Sequence, residues 1–231
     1  MNATEVRPAD PAESDAPPPG PAAGRGALLR LMPMLTVANA AMYMLYMGIG
    51  VVLLPVQVEL VDPADKVADF GLVSGVAAIF ATLFNPMAGL LSDRSGRRNP
   101  WILCGGLAAL GALALLGAAR TVLLVTIGWC LVQVAMNAYQ AALTAVVPDR
   151  VPAERRGLAS AMVGIGTPIG SALGISTAAL FVPTDIALGY LVFGSVIAGA
   201  AVLFTPSSAS ASDRQANRCR CASSWPPSRT P

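Results

Sequence analysis

The sequence predicts an all-α membrane protein in which six helices cross the bilayer. Two features of composition carry this prediction: 55% of the 231 residues are hydrophobic and 12% are charged, whereas a soluble domain is usually about a quarter charged. A third observation is the mean hydropathy of +0.62. Because an apolar run of about 18 residues or more is long enough to cross a bilayer as a helix, the charged residues can be used to mark the spans.

Six stretches between charged side chains reach that length. They are residues 31–60 (interrupted by Glu59), 70–92, 99–119, 121–148, 157–184 and 186–212. At about 1.5 Å of rise per residue, each stretch has room for one helix and not for two. The alternating pattern of an outer-membrane barrel is absent. We therefore predict a six-helix transmembrane bundle over residues 30–205.

The two ends of the chain have a different composition. Residues 1–29 are rich in proline and alanine and predict a disordered cytoplasmic tail. They lack the basic start and apolar core of a signal peptide. Residues 206–231 predict a low-complexity cytoplasmic tail, whose composition would also result from reading out of frame. Cys219 and Cys221 form a lone C-x-C there, and without any histidine in the chain we predict no metal site.

Arginine and lysine predict the orientation. With alternating spans, 13 of the 15 basic residues fall on the side of the N-terminus, which leaves Lys66 and Arg120 on the other side. Basic residues are in excess in cytoplasmic loops. We therefore expect both termini in the cytoplasm and a multi-pass protein of the cytoplasmic or plasma membrane.

The densest cluster of charge, "GLLSDRSGRRNP" at residues 89–100, lies in the turn between the second and third spans. Its spacing, G-x-x-x-D-R-x-G-R-R, is formed by Gly89, Asp93, Arg94, Gly96, Arg97 and Arg98. This resembles the signature loop of the major facilitator superfamily, both in pattern and in its place in the topology. The resemblance implies that the bundle is the N-terminal six-helix half of such a transporter, with both termini cytoplasmic.

The same resemblance implies a cytoplasmic gate. It assigns Gly89 to a close helix approach, Asp93 to an ion pair or helix cap, and the arginines to the same charge network and to anionic lipid. A plain positive-inside anchor would explain Arg97 and Arg98, but not Asp93 or the two glycines. The wider stretch 85–103, "NPMAGLLSDRSGRRNPWIL", is similar to the sugar-cation symporters and the sucrose-transporter-like branch.

A second loop, residues 147–161, resembles the loop between the fourth and fifth helices of the same superfamily. Arg155 and Arg156 either belong to the gate or anchor the topology, and the sequence leaves both interpretations open.

Polar side chains form one stripe in each of two spans. Asn39, Tyr43 and Tyr46 share a face of the first span, and Gln133, Asn137 and Gln140 share a face of the fourth. Polar side chains inside a membrane usually face the bundle interior or a watery cavity. Since the first and fourth helices line the central cavity in the superfamily, the resemblance implies that these six residues contact the solute. The alternative is hydrogen bonding between helices.

The fifth span carries three glycines at intervals of four, Gly166, Gly170 and Gly174, with Pro168 between them. Small residues at this interval let helix backbones approach closely. We predict that these glycines serve helix packing.

The absence of charged side chains from the middle of the spans bears on the expected solute. No charged residue lies in the middle of a span, although ion relays are usually built from such groups, so we expect an uncharged solute. We find no constellation typical of an enzyme and predict no cofactor and no nucleic-acid partner. The expected partners are the lipid bilayer and a small solute, and because the superfamily has two halves, also a second six-helix half or another copy.

The sequence thus favours secondary active or facilitative transport of a small, neutral, sugar-like solute by alternating access. Two alternatives remain: half of a drug exporter, or a truncated, transport-incompetent membrane fragment.

Overall fold

The computed structural model describes residues 25–95 and 98–223, with side chains for residues 29–95 and 98–205. The predicted tail residues 1–24 and 224–231 lie outside this part, as do Gly96 and Arg97. The helices are α1 (Arg25–Met47), α2 (Leu54–Val61), α3 (Lys66–Ser95), α4 (Arg98–Gly117), α5 (Val122–Arg150), α6 (Arg156–Phe181) and α7 (Ile186–Ser223), with a π-helical segment at Gly48–Leu53 and a 3₁₀ turn at Ala153–Arg155.

Six helical stretches are long and apolar enough to cross a membrane, which confirms the predicted fold class. They are Leu29–Val61, Lys66–Ser95, Arg98–Gly117, Val122–Arg150, Ala153–Phe181 and Ile186–Thr205. No strand occurs among residues 25–95 and 98–223. Several helices begin or end one to four residues beyond the predicted apolar runs, because charged side chains at helix ends reach the membrane surface. The orientation of the termini stays a prediction.

The ends of the helices coincide with side chains that satisfy free backbone groups. Thr121 Oγ1 accepts a hydrogen bond from Leu124 N at the start of α5 (3.3 Å), and Asp185 Oδ1 accepts one from Ala187 N at the start of α7 (2.8 Å). Both are typical N-cap residues. The turns 118–121 and 182–185 are therefore tight, and the first of them leads α5 back along α4.

The helices pack as an arc. The extensively packed neighbours follow the order α3, α5, α4, α7, α1, α6, and α1 meets α5 only lightly across the opening of the arc. In terms of spans the order is 2, 4, 3, 6, 1, 5. If spans 1, 2 and 3 are exchanged with spans 4, 5 and 6, respectively, the result is the same order read backwards. This symmetry is expected for two three-helix repeats.

Burial is uneven along the arc. Thirteen of the 29 residues of α5 are buried, whereas four of the 30 residues of α3 are. The largest fully buried side chains include Tyr139 of α5 and Tyr190 and Phe193 of α7. Leu35, Met42 and Leu45 of α1 are among them too, so the core lies between α5, α7 and the first span, and α3 is a peripheral helix.

Candidate functional site

A charge network centred on Arg98 joins three helix ends. Arg98 Nη1 donates to Asp93 Oδ1 at the end of α3 (2.6 Å), and its Nε donates to Asp149 Oδ2 at the end of α5 (2.9 Å). Nη1 also donates to Ser92 Oγ (3.0 Å). The guanidinium has donors on several edges and can serve all three acceptors at once. Arg98, at the first residue of α4, thereby ties α3 to α5.

The arginine is the enclosed member of this network. Its side chain is 14% exposed, whereas Asp93 is 62% exposed and Asp149 is 43% exposed. Water therefore weakens each ion pair. Removing the arginine would leave two neighbouring carboxylates without a shared cation, whereas removing either carboxylate leaves the arginine paired with the other.

The structure places the predicted gate residues in different surroundings. Asp93 and Arg98 meet directly, while Arg94 is exposed and forms no ion pair with a described residue. Gly96 and Arg97 lie outside the described residues. A Cβ on Gly89 would meet no described atom within 4 Å, so the close approach predicted for it is not made within this bundle.

Sequence reasoning missed Asp149, the second carboxylate of the network. It precedes Arg150 in the second loop, residues 147–161, and its contact with Arg98 spans 51 residues. In that loop Arg156 donates to Val151 O (3.1 Å) and Pro148 O (3.0 Å), so it covers carbonyl groups at the end of α5. This is a capping contact, and Arg155 lies in the 3₁₀ turn beside it.

The polar stripe of the first span splits between two environments. Asn39 is buried, and its Nδ2 donates to Val163 O (2.9 Å) and to Thr167 Oγ1 (3.1 Å) on α6. These are the interhelical hydrogen bonds that were the alternative to cavity lining. Tyr43 and Tyr46 are half-buried, with ring centroids 6.5 Å apart in an edge-to-face arrangement.

The stripe of the fourth span lies on α5. Asn137 is buried and its Nδ2 donates to Gln133 O of its own helix (2.8 Å). Gln133 and Gln140 are half-buried. Gln133 Oε1 is enclosed and accepts no hydrogen bond from any residue that the structure describes. The neighbouring Tyr139, which the stripe did not include, donates from its hydroxyl to Ala38 O of α1 (3.3 Å).

The three glycines of α6 lie against α1. A Cβ on Gly166, Gly170 or Gly174 would collide with the backbone oxygen of Thr36, Ala40 or Met44, respectively. The contacts repeat every four residues on both helices, so the two backbones stay close together over this whole stretch. We call this contact, together with the hydrogen bonds of Thr36 and Asn39 to α6, the α1–α6 interface.

The topologically equivalent contact, between α3 and α5, is looser. It leaves an open groove of about 600 Å³, here called the α3–α5 groove, which is lined by Leu72, Val76, Phe80, Val122, Leu123, Thr126, Ile127, Cys130, Leu131 and Val134. The one hydroxyl in this lining, that of Thr126, donates to Val122 O of its own helix (2.8 Å). The groove therefore offers an apolar surface.

A second buried polar cluster was not anticipated. Gln57 of α2 donates through Nε2 to Leu116 O (2.8 Å) and accepts from the Tyr190 hydroxyl (2.6 Å). It thereby fastens α2 to the last turn of α4 and to α7. The lone glutamine in an apolar run was the available signal, because a buried polar group needs partners.

The described residues contain no group of three or more histidine, cysteine or acidic side chains that could hold a metal ion.

The chain is similar in sequence to known membrane proteins. The model of the Major Facilitator Superfamily matches residues 28–228. The chain is 32% identical over 116 residues to the General alpha-glucoside permease of Schizosaccharomyces pombe, and the match covers 40% of this chain and 21% of the permease. The chain thus spans about a fifth of the length of that relative. No solved structure matches it. Since the family match covers far more than half of the chain, the protein belongs to the major facilitator superfamily and is an integral, multi-pass membrane protein.

Proposed function

We propose that this chain is one six-helix half of a plasma-membrane transporter that moves a small, neutral, sugar-like solute by alternating access. Family membership supports membrane transport. The similarity to a protein named as an alpha-glucoside permease supports a sugar as the solute. The polar but uncharged side chains of α1 and α5 support a neutral solute, because such side chains can form hydrogen bonds to a solute without adding a formal charge.

One observation carries the solute site. Gln133 Oε1 is an enclosed acceptor, at membrane depth, with no donor among the described residues. A buried polar atom without a partner costs about 1–3 kcal/mol. A solute hydroxyl supplies the missing donor, whereas a solute carboxylate adds only further acceptors. The site therefore favours a hydroxylated solute over an anionic one.

Some of the other predicted cavity residues contact the solute in this proposal, and others only position the polar face. Tyr43 and Tyr46 form an amphipathic wall, and Gln140 adds donors and an acceptor about two turns from Gln133. Asn137 and Asn39 already use their amide donors within the bundle. They position the polar face, and the direct contacts come from the half-buried residues.

A second half completes the cavity. In this superfamily the solute site lies between two six-helix halves. The two helices that carry the polar stripes, α1 and α5, meet only lightly across the opening of the arc. We propose that a second copy of this chain, or a separate half, covers that opening.

The network around Arg98 is the proposed gate. Arg98 holds the ends of α3 and α5 together through two exposed carboxylates. Such pairs are weak enough to be exchanged for other partners when the halves rock. Breaking and remaking them would shift the balance between the two open states, as the family resemblance of Asp93 and its arginines implies.

Binding and uptake of a radiolabelled α-glucoside by vesicles that contain the purified chain test the proposal. We expect Gln133→Leu to weaken binding about ten-fold, since it removes a buried hydrogen bond to the solute. Thr126→Val is the matched control on the same helix, because its hydroxyl already donates to Val122 O. We expect it to bind like the wild type.

The outcomes separate the alternatives. Uptake by the chain alone supports completion by a second copy, and binding without uptake supports a separate half. Neither binding nor uptake would point to a transport-incompetent fragment. An equal loss in Gln133→Leu and Thr126→Val would contradict the role of Gln133.

The α3–α5 groove favours a second candidate function, export of apolar drugs. Its lining offers no free polar group, so it suits an apolar or amphiphilic molecule. Competition by an apolar dye would distinguish the two: a dye that displaces the glucoside, and whose binding is lost in Cys130→Phe, would favour the exporter.

A further inference from the structure

A polar cavity lies at the end of the bundle opposite the charge network. It has a volume of about 380 Å³, and its lining includes Gln57, Leu60, Ala119, Arg120 and Asp185. These residues come from the end of α2, the turn after α4 and the turn before α7. The cavity is therefore separate from the polar stripes of the proposed solute site.

The floor of this cavity has no free hydrogen-bonding capacity. Gln57 donates to two carbonyl groups of the α4 terminus, Leu116 O and Ala119 O. Its Oε1 accepts from the fully buried Tyr190. Because these groups satisfy one another, a ligand must be recognised by the rim.

The rim carries one charge of each sign, and the two do not meet. Arg120 forms neither an ion pair nor a side-chain hydrogen bond with any described residue. Asp185 accepts backbone hydrogen bonds at Oδ1 and forms no ion pair within the described part of the chain. Two unpaired opposite charges on one cavity are complementary to a zwitterion, in which phosphate and ammonium groups are joined.

The surroundings of the cavity are apolar and face outward. Leu60, which lines it, is 70% exposed, and Leu188 in the first turn of α7 is 52% exposed. Exposed leucines at the end of a spanning helix lie among lipid chains and headgroups. The cavity thus opens where a phospholipid headgroup lies.

We propose that this cavity binds the headgroup of an amine-bearing zwitterionic phospholipid, with its phosphate on Arg120 and its ammonium on Asp185. Arginine matches the geometry of a phosphate and remains charged at any physiological pH. The lipid would bridge the turns 118–121 and 182–185, which no side-chain ion pair among the described residues connects. This site is independent of the solute and of whether the chain transports.

Native mass spectrometry of the full chain tests the proposal, with phosphatidylethanolamine and phosphatidylglycerol as the probes. We expect Arg120→Gln to weaken retention of both lipids about ten-fold, since both lose the charged hydrogen bond to phosphate. Asp185→Asn should weaken retention of phosphatidylethanolamine alone, because only that lipid carries an ammonium group. Asparagine caps a helix as well as aspartate does, so α7 keeps its cap.

Lys66→Gln is the matched control, because Lys66 is the other basic residue at this end of the bundle and is already paired with Glu59 (2.6 Å). It should retain both lipids like the wild type. Equal losses in Lys66→Gln and Arg120→Gln would overturn the site in favour of general surface charge. Unchanged retention in Asp185→Asn would overturn the zwitterion. Soluble glycerophosphoethanolamine that competes as well as the lipid would overturn the membrane as the source.

Discussion

The α1–α6 interface and the α3–α5 groove occupy equivalent positions in the two three-helix repeats, yet they are built differently. Backbone meets backbone along the first, through Gly166, Gly170 and Gly174. The second leaves an open groove of about 600 Å³ lined by apolar side chains. The same topological contact is thus close-packed in one repeat and open in the other.

Side-chain hydrogen bonds also distinguish the α1–α6 interface from the α3–α5 groove. Thr36 and Asn39 donate to carbonyl and hydroxyl oxygens of α6, within the membrane-spanning part. Along residues 70–91 of α3, no described side chain is hydrogen-bonded to α5. The link between α3 and α5 lies at one end, through Arg98. Side-chain hydrogen bonds thus join α6 to α1 within the spanning part, whereas the polar links between α3 and α5 lie at the proposed gate.

The largest expected effect is that of Gly170→Leu, which places a side chain against the backbone of Ala40. Because neither backbone can move aside without separating the helices, we expect the free energy of unfolding to fall by about 3 kcal/mol. Thermal unfolding of the purified chain in detergent, followed by tryptophan fluorescence, measures the loss.

Gly75→Leu is its control on α3, since a Cβ there would meet no described atom within 4 Å. We expect a change within about 0.5 kcal/mol, as for an exposed position. Comparable losses in the two variants would show that the two contacts are equally close, and the comparison would fail.

An intermediate effect is expected from Arg98→Gln, which releases the end of α3 from α5. Asp93 and Asp149 are then left without their common cation, so we expect a loss of about 2 kcal/mol, less at high salt. Asp93→Asn and Asp149→Asn should each cost about 0.5–1 kcal/mol, because Arg98 keeps one partner. Unfolding at low and high salt, with Arg94→Gln as the unpaired control, measures these differences. A larger loss in Asp93→Asn than in Arg98→Gln would contradict the shared-arginine arrangement.

The number and position of the spans could be predicted because charge is costly in lipid, which leaves long apolar runs between charged residues. The pairing of Arg98 with Asp149 could not. The loop resemblance indicated a network around Asp93, but which carboxylate lies beside Arg98 depends on α4 and α5 packing side by side over a separation of 51 residues.

The role of Asn39 shows a second limit. Its spacing to Tyr43 and Tyr46 defines a helix face, but the spacing does not indicate which neighbouring helix packs against that face. In a membrane the core and the lipid are equally apolar, so hydrophobic patterning does not distinguish the inside of a bundle from its outside. The contact of Asn39 with Val163 and Thr167 therefore required the packing of α1 on α6.

The smallest effect on stability is expected in the α3–α5 groove, where there is space for a larger side chain. Cys130→Leu adds volume to a residue that lines the groove, so we expect no loss of stability and a gain of up to about 0.5 kcal/mol. Ala178→Leu is the matched enlargement on α6, four residues beyond Gly174 and fully buried, and it should cost about 2 kcal/mol. Thermal unfolding of both variants measures the difference directly. If Cys130→Leu is as destabilising as Ala178→Leu, the groove is not free volume, and α3 is packed as closely on α5 as α6 is on α1.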